Sequence, residues 1–289
     1  MLSYNKTPIQ QVHDSVLTNS EIRLFVKRED LNHPFVSGNK WWKLKNNLID
    51  AQKQRSRALL TFGGAYSNHV YATAAAACEL GFDSIGIIRG EEVLPLNSTL
   101  LFARDHGMKL HFISRETYRQ KSKPQFINEL HDQFGDFYLI PEGGSNELAV
   151  AGVEEFAKSL DFNFDYLCCP VGTGGTLAGL IKGQCGERKV FGFSSLKNGE
   201  YLSDEVRRLG GSYLNWEINI DYHFGGYAKS TAALLAFIEG FERKHHIPLE
   251  YIYTGKMIFG VFDLVKKGFF KKGSTLLAIH TGGIRHSPN

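Results

Sequence analysis

Charge of one sign is what this 289-residue chain lacks first: 33 Lys and Arg stand against 30 Asp and Glu, a formal net charge of +3. The basic residues are scattered, and the longest clusters are the doublets Lys266-Lys267 and Lys271-Lys272. Such short runs mark solvated helix ends, so no electrostatic footprint for nucleic acid is present. Long apolar runs are missing as well. None approaches the about 20 residues needed to cross a bilayer as a helix, and no membrane association is expected. Met1–His13 is polar and has no apolar segment of the kind a secretory signal needs. Cysteine is scarce: Cys78, Cys168, Cys169 and Cys185 form no CxxC pair. Cys168 and Cys169 sit inside an apolar run, which suits small core residues. A reducing, cytoplasmic compartment is therefore expected, with no metal site. Internal repeats, low-complexity tracts and obvious linkers are also lacking.

What is there is alternation. Short apolar, β-rich runs are expected as strands at 58–62, 84–88, 110–113, 138–140, 166–171, 190–194, 251–253 and 275–280. Amphipathic stretches between them, at 67–80, 96–106, 123–134, 146–160, 176–182, 203–209, 230–245 and 256–269, are expected as helices. Such alternation predicts an α/β protein with parallel sheets covered on both faces. Ligands then bind beyond the carboxyl ends of the strands. Three strands run directly into glycine-rich turns that lead toward a helix: Thr61-Phe62-Gly63-Gly64, Ile140-Pro141-Glu142-Gly143-Gly144 and Pro170-Val171-Gly172-Thr173-Gly174-Gly175. A fourth ends in His280-Thr281-Gly282-Gly283.

Three segments carry chemistry, two of them at these strand-end turns. Gly172-Thr173-Gly174-Gly175-Thr176, between a strand and a helix, suits an anion held by backbone N–H groups and the helix dipole. The plainer reading is a tight strand-to-helix turn. It is not a P-loop, because no Lys-Ser/Thr pair follows, and Leu177 stands where a dinucleotide fingerprint needs its third glycine. The next strand ends in Ser194-Ser195-Leu196-Lys197 and lacks the acid that would hold an NAD ribose. In Ser37-Gly38-Asn39-Lys40-Trp41-Trp42, Lys40 follows a small polar turn and precedes two tryptophans. A lysine alone is a solvated charge, but this setting predicts a partly desolvated amine. Burial lowers an ammonium pKa, and a neutral lysine can form an imine. Ser67-Asn68-His69 follows Gly63-Gly64-Ala65-Tyr66. A helix cap explains Ser67 and Asn68. The cluster with His69 also suits binding a carboxylate or activating a hydroxyl.

Taken together, Lys27-Arg28-Glu29-Asp30-Leu31, Gly38-Asn39-Lys40, Ser67-Asn68-His69, Pro141-Glu142-Gly143-Gly144-Ser145-Asn146, Gly172–Thr176, Tyr253-Thr254-Gly255-Lys256 and His280-Thr281-Gly282-Gly283 resemble one family. It is the pyridoxal 5'-phosphate (PLP)-dependent 1-aminocyclopropane-1-carboxylate (ACC) deaminase and D-cysteine desulfhydrase family. The resemblance covers nearly the whole chain in register. It implies a tryptophan synthase β-like fold with two open parallel-sheet domains: residues 1–46 plus 148–289 as the larger, and 47–147 as a smaller inserted one. It implies that Lys40 holds PLP through an imine and that Asn68 contacts the ring hydroxyl. Gly172, Thr173, Gly174, Gly175 and Thr176 would hold the phosphate, with Thr254 and Thr281 on the pyridine-nitrogen side. Ser67, Asn68 and His69 would meet the substrate carboxylate. Tyr253, with Tyr227 as a second tyrosine, would face the substrate, and Ser67 or Tyr253 would carry protons. A small amino-acid substrate and a homodimer are further family-level expectations.

Within the family, the cyclopropane deaminases look to carry Glu after the Tyr of Tyr-X-Gly-Lys and Leu in His-X-Gly-Gly. The desulfhydrases look to carry Thr at both positions. Thr254 and Thr281 make this chain desulfhydrase-like: a PLP-dependent deaminase that releases ammonia and a 2-oxo acid. ACC deamination and non-catalytic PLP binding on the same fold are the alternatives, and a nucleotide-dependent oxidoreductase would rest on the glycines alone. Tyr66 stands where relatives carry Gln, and Trp41 and Trp42 stand where smaller residues are common. If these aromatics flank the cofactor, they reshape the substrate pocket.

Overall fold

A computed structural model describes residues 2–283. Six strands form the larger sheet, in spatial order β1 (Ile9–Val12), β2 (Arg23–Lys27), β10 (Thr275–Ile279), β7 (Tyr166–Val171), β8 (Lys189–Ser194) and β9 (Trp216–Asn219). Four form the smaller, in the order β5 (Met108–Ile113), β4 (Asp83–Arg89), β3 (Ala58–Gly64) and β6 (Tyr138–Ile140). All strands of the smaller sheet fall between 58 and 140, and all strands of the larger fall outside that range. Every pairing is parallel except β1 with β2. The α/β expectation therefore holds, with one antiparallel strand added at an edge. β10 is buried at every residue and β7 at all but its first. Such continuously apolar strands require helices on both faces, which is how a parallel sheet is covered.

Three helices make the layer that matters for the site: Asn39–Lys53, Glu147–Lys158 and Gly175–Gln184. They approach closely because small residues face their neighbours. A Cβ on Gly152 would lie 2.1 Å from the carbonyl oxygen of Trp42, and one on Gly179 would lie 2.5 Å from Cβ of Val153. Neither glycine can be replaced by a larger residue without separating the helices.

The structure corrects the sequence reading at several places. Residues 39–53 form a helix that was not anticipated, and it begins at Asn39, inside the expected Ser37-Gly38-Asn39 turn. Tyr251–Tyr253 is a turn, not a strand: the Glu250 carboxylate accepts the backbone N–H groups of Ile252, Tyr253 and Thr254. A side chain that takes three consecutive N–H groups leaves none for a sheet ladder. β1, β2 and β9 were not anticipated, since IQQV, RLFVK and WEIN are short and interrupted by polar residues. Among the described residues, no helix is long and apolar enough to cross a membrane. No group of three or more His, Cys, Asp or Glu could hold a metal there either.

Candidate active site

The first turn of helix Asn39–Lys53 is set by the far end of the chain. Gly38 has φ +68°, and a Cβ on it would fall 1.9 Å from the carbonyl oxygen of Thr281. Only glycine fits both the conformation and the space. The Asn39 N–H then donates to that Thr281 oxygen at 3.2 Å. Lys40 follows, and Lys43, three residues on, emerges on the same side of the helix. Both line a cleft of about 540 Å³, within the range of small-ligand sites. Trp41 and Trp42 point the other way. Both are buried, and their indole N–H groups donate to the Ser3 carbonyl and to Glu29 Oε2, each at 2.7 Å. They do not line the cleft, so the expectation that they reshape the pocket is corrected; they anchor the helix instead.

The two lysines are electrostatically unusual. Burial pushes the Lys40 ammonium down to about 8. Burial, with Lys40 as neighbour, holds Lys43 well below the ordinary lysine range. Among the described residues neither is ion-paired to a carboxylate. Lys43 Nζ donates to Ser145 Oγ at 3.0 Å, and that oxygen lies 2.6 Å from Thr173 Oγ1. Sequence reasoning missed Lys43 and Ser145 as site residues. The signal was available: Lys43 stands at i+3 from Lys40, one face of a helix, had the helix been recognised.

Across from the lysines, Gly172, Thr173, Gly174 and Thr176 line the cleft where β7 ends. Helix Gly175–Gln184 begins there with no side chain capping its first turn. Its N-terminal N–H groups are therefore left to another acceptor. Gly175 lies just behind, where a Cβ would come within 2.8 Å of Ser145 Oγ and 3.1 Å of Lys43 Nζ. Asn39 Nδ2 donates to Thr176 Oγ1 at 2.8 Å, so Asn39, also unanticipated, joins the lysine helix to the glycine loop.

The small-sheet side contributes Ser67, Asn68 and His69. Ser67 caps helix Asn68–Leu80, its Oγ accepting from the Val70 N–H at 3.2 Å. His69 is buried, and burial together with the two lysines holds its pKa well below the usual histidine value. The ring is neutral. Thr61 donates its hydroxyl proton to the Ile140 carbonyl and so accepts from His69 Nε2 at 2.8 Å. The Pro141 backbone also hydrogen-bonds the ring and opposes the lowering of its pKa.

Tyr253 and Tyr227 complete the wall. Tyr253 lies on the glycine loop, for a Cβ on Gly172 would meet its ring at 3.0 Å and its hydroxyl at 3.2 Å. Burial raises its pKa, and Tyr227 and Glu250 add to that, so the phenol keeps its proton. The two tyrosine rings meet edge to face, 6.1 Å between centroids. The Tyr227 hydroxyl donates to the Tyr66 carbonyl at 3.4 Å, while Tyr66 itself is half exposed and does not line the cleft. Thr281 lines the cleft. Thr254 does not: its hydroxyl donates to Glu250 Oε1 at 3.0 Å and accepts from the Glu250 N–H at 3.2 Å. Of the residues given a catalytic, cofactor-binding or substrate-binding role from sequence, all but Gly175 and Thr254 border one cleft.

A family model described as pyridoxal-phosphate dependent enzyme matches residues 1–282. The chain belongs to that family. Its cofactor is PLP, and the cleft fits it. A buried Lys43 and a partly buried Lys40, neither ion-paired to a carboxylate among the described residues, stand beside an uncapped helix N-terminus and suit a phosphorylated aldehyde. Among the relatives, a Pyrococcus furiosus protein provisionally named a 1-aminocyclopropane-1-carboxylate deaminase is 33% identical over 96% of this chain and 90% of its own. A mitochondrial bifunctional D-cysteine desulfhydrase/1-aminocyclopropane-1-carboxylate deaminase of Arabidopsis thaliana is 31% identical over 98% of this chain and 77% of its own. The crystal structure of an ACC deaminase homologue superposes with TM-score 0.87 at 29% identity, covering 98% of this chain and 91% of that one.

Proposed function

We propose that this PLP-dependent enzyme deaminates a small amino acid in the manner of a D-cysteine desulfhydrase, releasing ammonia and a 2-oxo acid. One observation carries the reading. A lysine with a lowered pKa, a capping serine and a protonated tyrosine share a cleft with an uncapped glycine loop. When bound, PLP supplies an aldehyde for amines and an electron sink for charge released at Cα.

The chain's residues divide the remaining work. Lys43 and the N–H groups of Gly172–Thr176 hold the phosphate, with the Thr173 and Thr176 hydroxyls beside them. Asn68 meets the ring hydroxyl. Ser67 and Asn68 receive the substrate carboxylate through hydrogen bonds rather than a positive charge, with the neutral His69 ring beside them. Lys40 holds the cofactor and, with its pKa lowered to about 8, is placed to take the Cα proton once it is the free amine. Tyr253 keeps its proton and can deliver it to a leaving group on Cβ or relay it through Ser67, with Tyr227 packed on its edge. Thr281 brings a hydroxyl, not a carboxylate, to the pyridine-nitrogen side. A neutral neighbour gives a weaker sink, sufficient for eliminating a good leaving group such as sulfide. Residues 47–147 act as the inserted smaller domain, and the working enzyme is a cytoplasmic homodimer.

The name of the Pyrococcus relative supports a second reading, deamination of ACC, while that of the Arabidopsis relative carries both activities. One experiment separates the two. Purified holoenzyme is titrated with D-cysteine, L-cysteine and ACC while absorbance, 2-oxo acid and sulfide are followed. Sulfide with pyruvate from D-cysteine supports the first reading. 2-Oxobutyrate from ACC alone replaces it with the second.

A further inference from the structure

Lys256 stands outside the cleft and has no part in the chemistry above. Its side chain is 1% exposed, yet among the described residues no carboxylate lies within ion-pair distance of it. Its Nζ instead donates to three main-chain carbonyls: His223 and Gly226 at 2.8 Å each, and Ser195 at 3.5 Å. An ammonium has three donors and no acceptor, so the three oxygens use it completely. Backbone carbonyls converging on a buried positive centre are the arrangement otherwise made around a bound metal cation.

Two of those carbonyls belong to a strained turn. Phe224 and Ala228 both adopt the left-handed region, at φ 50° and 54°, with Gly225 and Gly226 at 93° and 116° between them. A non-glycine residue in that region is strained and persists only where its surroundings enforce it. Tyr227 sits in this turn. Lys256, in turn, lies in the first turn of helix Thr254–Lys266, which starts directly after Tyr253. One ammonium therefore ties the segment carrying Tyr227 to the helix start carrying Tyr253.

We propose that Lys256 is a built-in cation whose task is to hold the 223–228 turn in its strained form and so position Tyr227 against Tyr253 at the cleft. It is a positioning residue, and the inference rests on the reading that Tyr227 faces the substrate. Without the ammonium, three carbonyl dipoles point at one another in a dry space. The turn then relaxes, and Tyr227 leaves the wall.

The test uses PLP-loaded enzyme and two independent readouts. In Lys256→Met, which keeps an unbranched apolar stem but removes the donors, amide hydrogen exchange over 223–228 should quicken while helix Gly175–Gln184 is unchanged. Unchanged exchange in that turn would overturn the proposal. Turnover is then measured in a double-mutant cycle with Tyr227→Phe. Lys256→Met should lower kcat/KM by about tenfold in the wild-type background and by little once Tyr227 is Phe. Equal losses in both backgrounds reduce Lys256 to a general stabiliser and reject the positioning role. Lys256→Ala, which leaves room for a small ion, should recover activity on addition of ammonium, and it serves in place of the methionine variant if that one does not fold. If wild-type enzyme turns over no small amino acid, the functional reading fails, while the exchange measurement still decides whether the ammonium holds the turn.

Discussion

Glu29 and Lys43 are both buried charges, and the chain treats them in opposite ways. Glu29 is 0% exposed, and its carboxylate accepts from Trp42 Nε1 at 2.7 Å, Asn32 Nδ2 at 3.1 Å, the Tyr4 hydroxyl at 3.2 Å and the Thr7 hydroxyl, with Lys27 at 3.6 Å. Lys43 has one serine hydroxyl and a like charge for company. Trp42, which Glu29 holds, is the residue immediately before Lys43, so satisfied and unsatisfied sides share one helix. A buried charge with every lone pair occupied acts as scaffold. One left without an opposite charge is paid for only by a ligand that supplies it. The Lys27-Arg28-Glu29-Asp30 run therefore belongs to the frame. Arg28 grips Asp30 at 2.7 Å, and Asn32 holds both the N–H and the carbonyl of Gly38 at 2.9 and 3.0 Å, which fixes where the Lys40 helix begins.

The contrast can be tested by removing each member. Lys40→Ala has the largest expected effect: turnover falls by roughly 10²–10⁴-fold from loss of the base alone, and the near-visible absorbance of lysine-held PLP disappears. A spectrum that survives this change refutes the assignment of Lys40. Glu29→Ala should cost about 3–5 kcal/mol in denaturant unfolding, because it strands four donors and Lys27 in a dry interior. Lys43→Met should do the reverse to the apoprotein, leaving stability unchanged or raising it by about 1 kcal/mol. In the same variant, the dissociation constant for PLP rises about tenfold or more. Destabilised apoprotein with normal PLP affinity would make Lys43 another frame residue.

The smallest effect is on pH. Lys40 in the folded apoprotein titrates at about 8, against about 10.4 when unfolded. Below pH 8 both forms are protonated and the cost of burying the charge is fully present. Between pH 8 and 10.4 the unfolded chain holds more protons, so folding stability rises with pH. Lys256, also lowered to about 8 by burial, contributes with the same sign. The rise should therefore be shallower, not absent, in Lys40→Met. Equal slopes in the two proteins would show that Lys40 is not desolvated.

Much of this was legible in the sequence because it is local. The glycine turns follow apolar runs, the strand and helix periods alternate, and the family's motifs stand in order. What escaped was set at a distance or by competition. The aromatic run Tyr251–Tyr253 has β character, yet one carboxylate at Glu250 outbids the sheet for its N–H groups. Thr254 looked like a cleft residue from its motif, but the same carboxylate claims its hydroxyl. Trp41 and Trp42 looked like pocket walls because they adjoin Lys40, and helical geometry turns both of them toward Tyr4 and Glu29 instead. Lys43 was passed over because the helix carrying it opens at a glycine whose need is invisible without Thr281.

That close fit between Gly38 and Thr281 has a consequence for assembly. The loop that launches the cofactor lysine and the carbonyl it rests against are far apart in sequence, and the carbonyl directly follows β10. Until β10 slots between β2 and β7, the loop lacks the surface it rests on. A protein cut just before β10 should therefore stay colourless with PLP, however well its smaller sheet has formed.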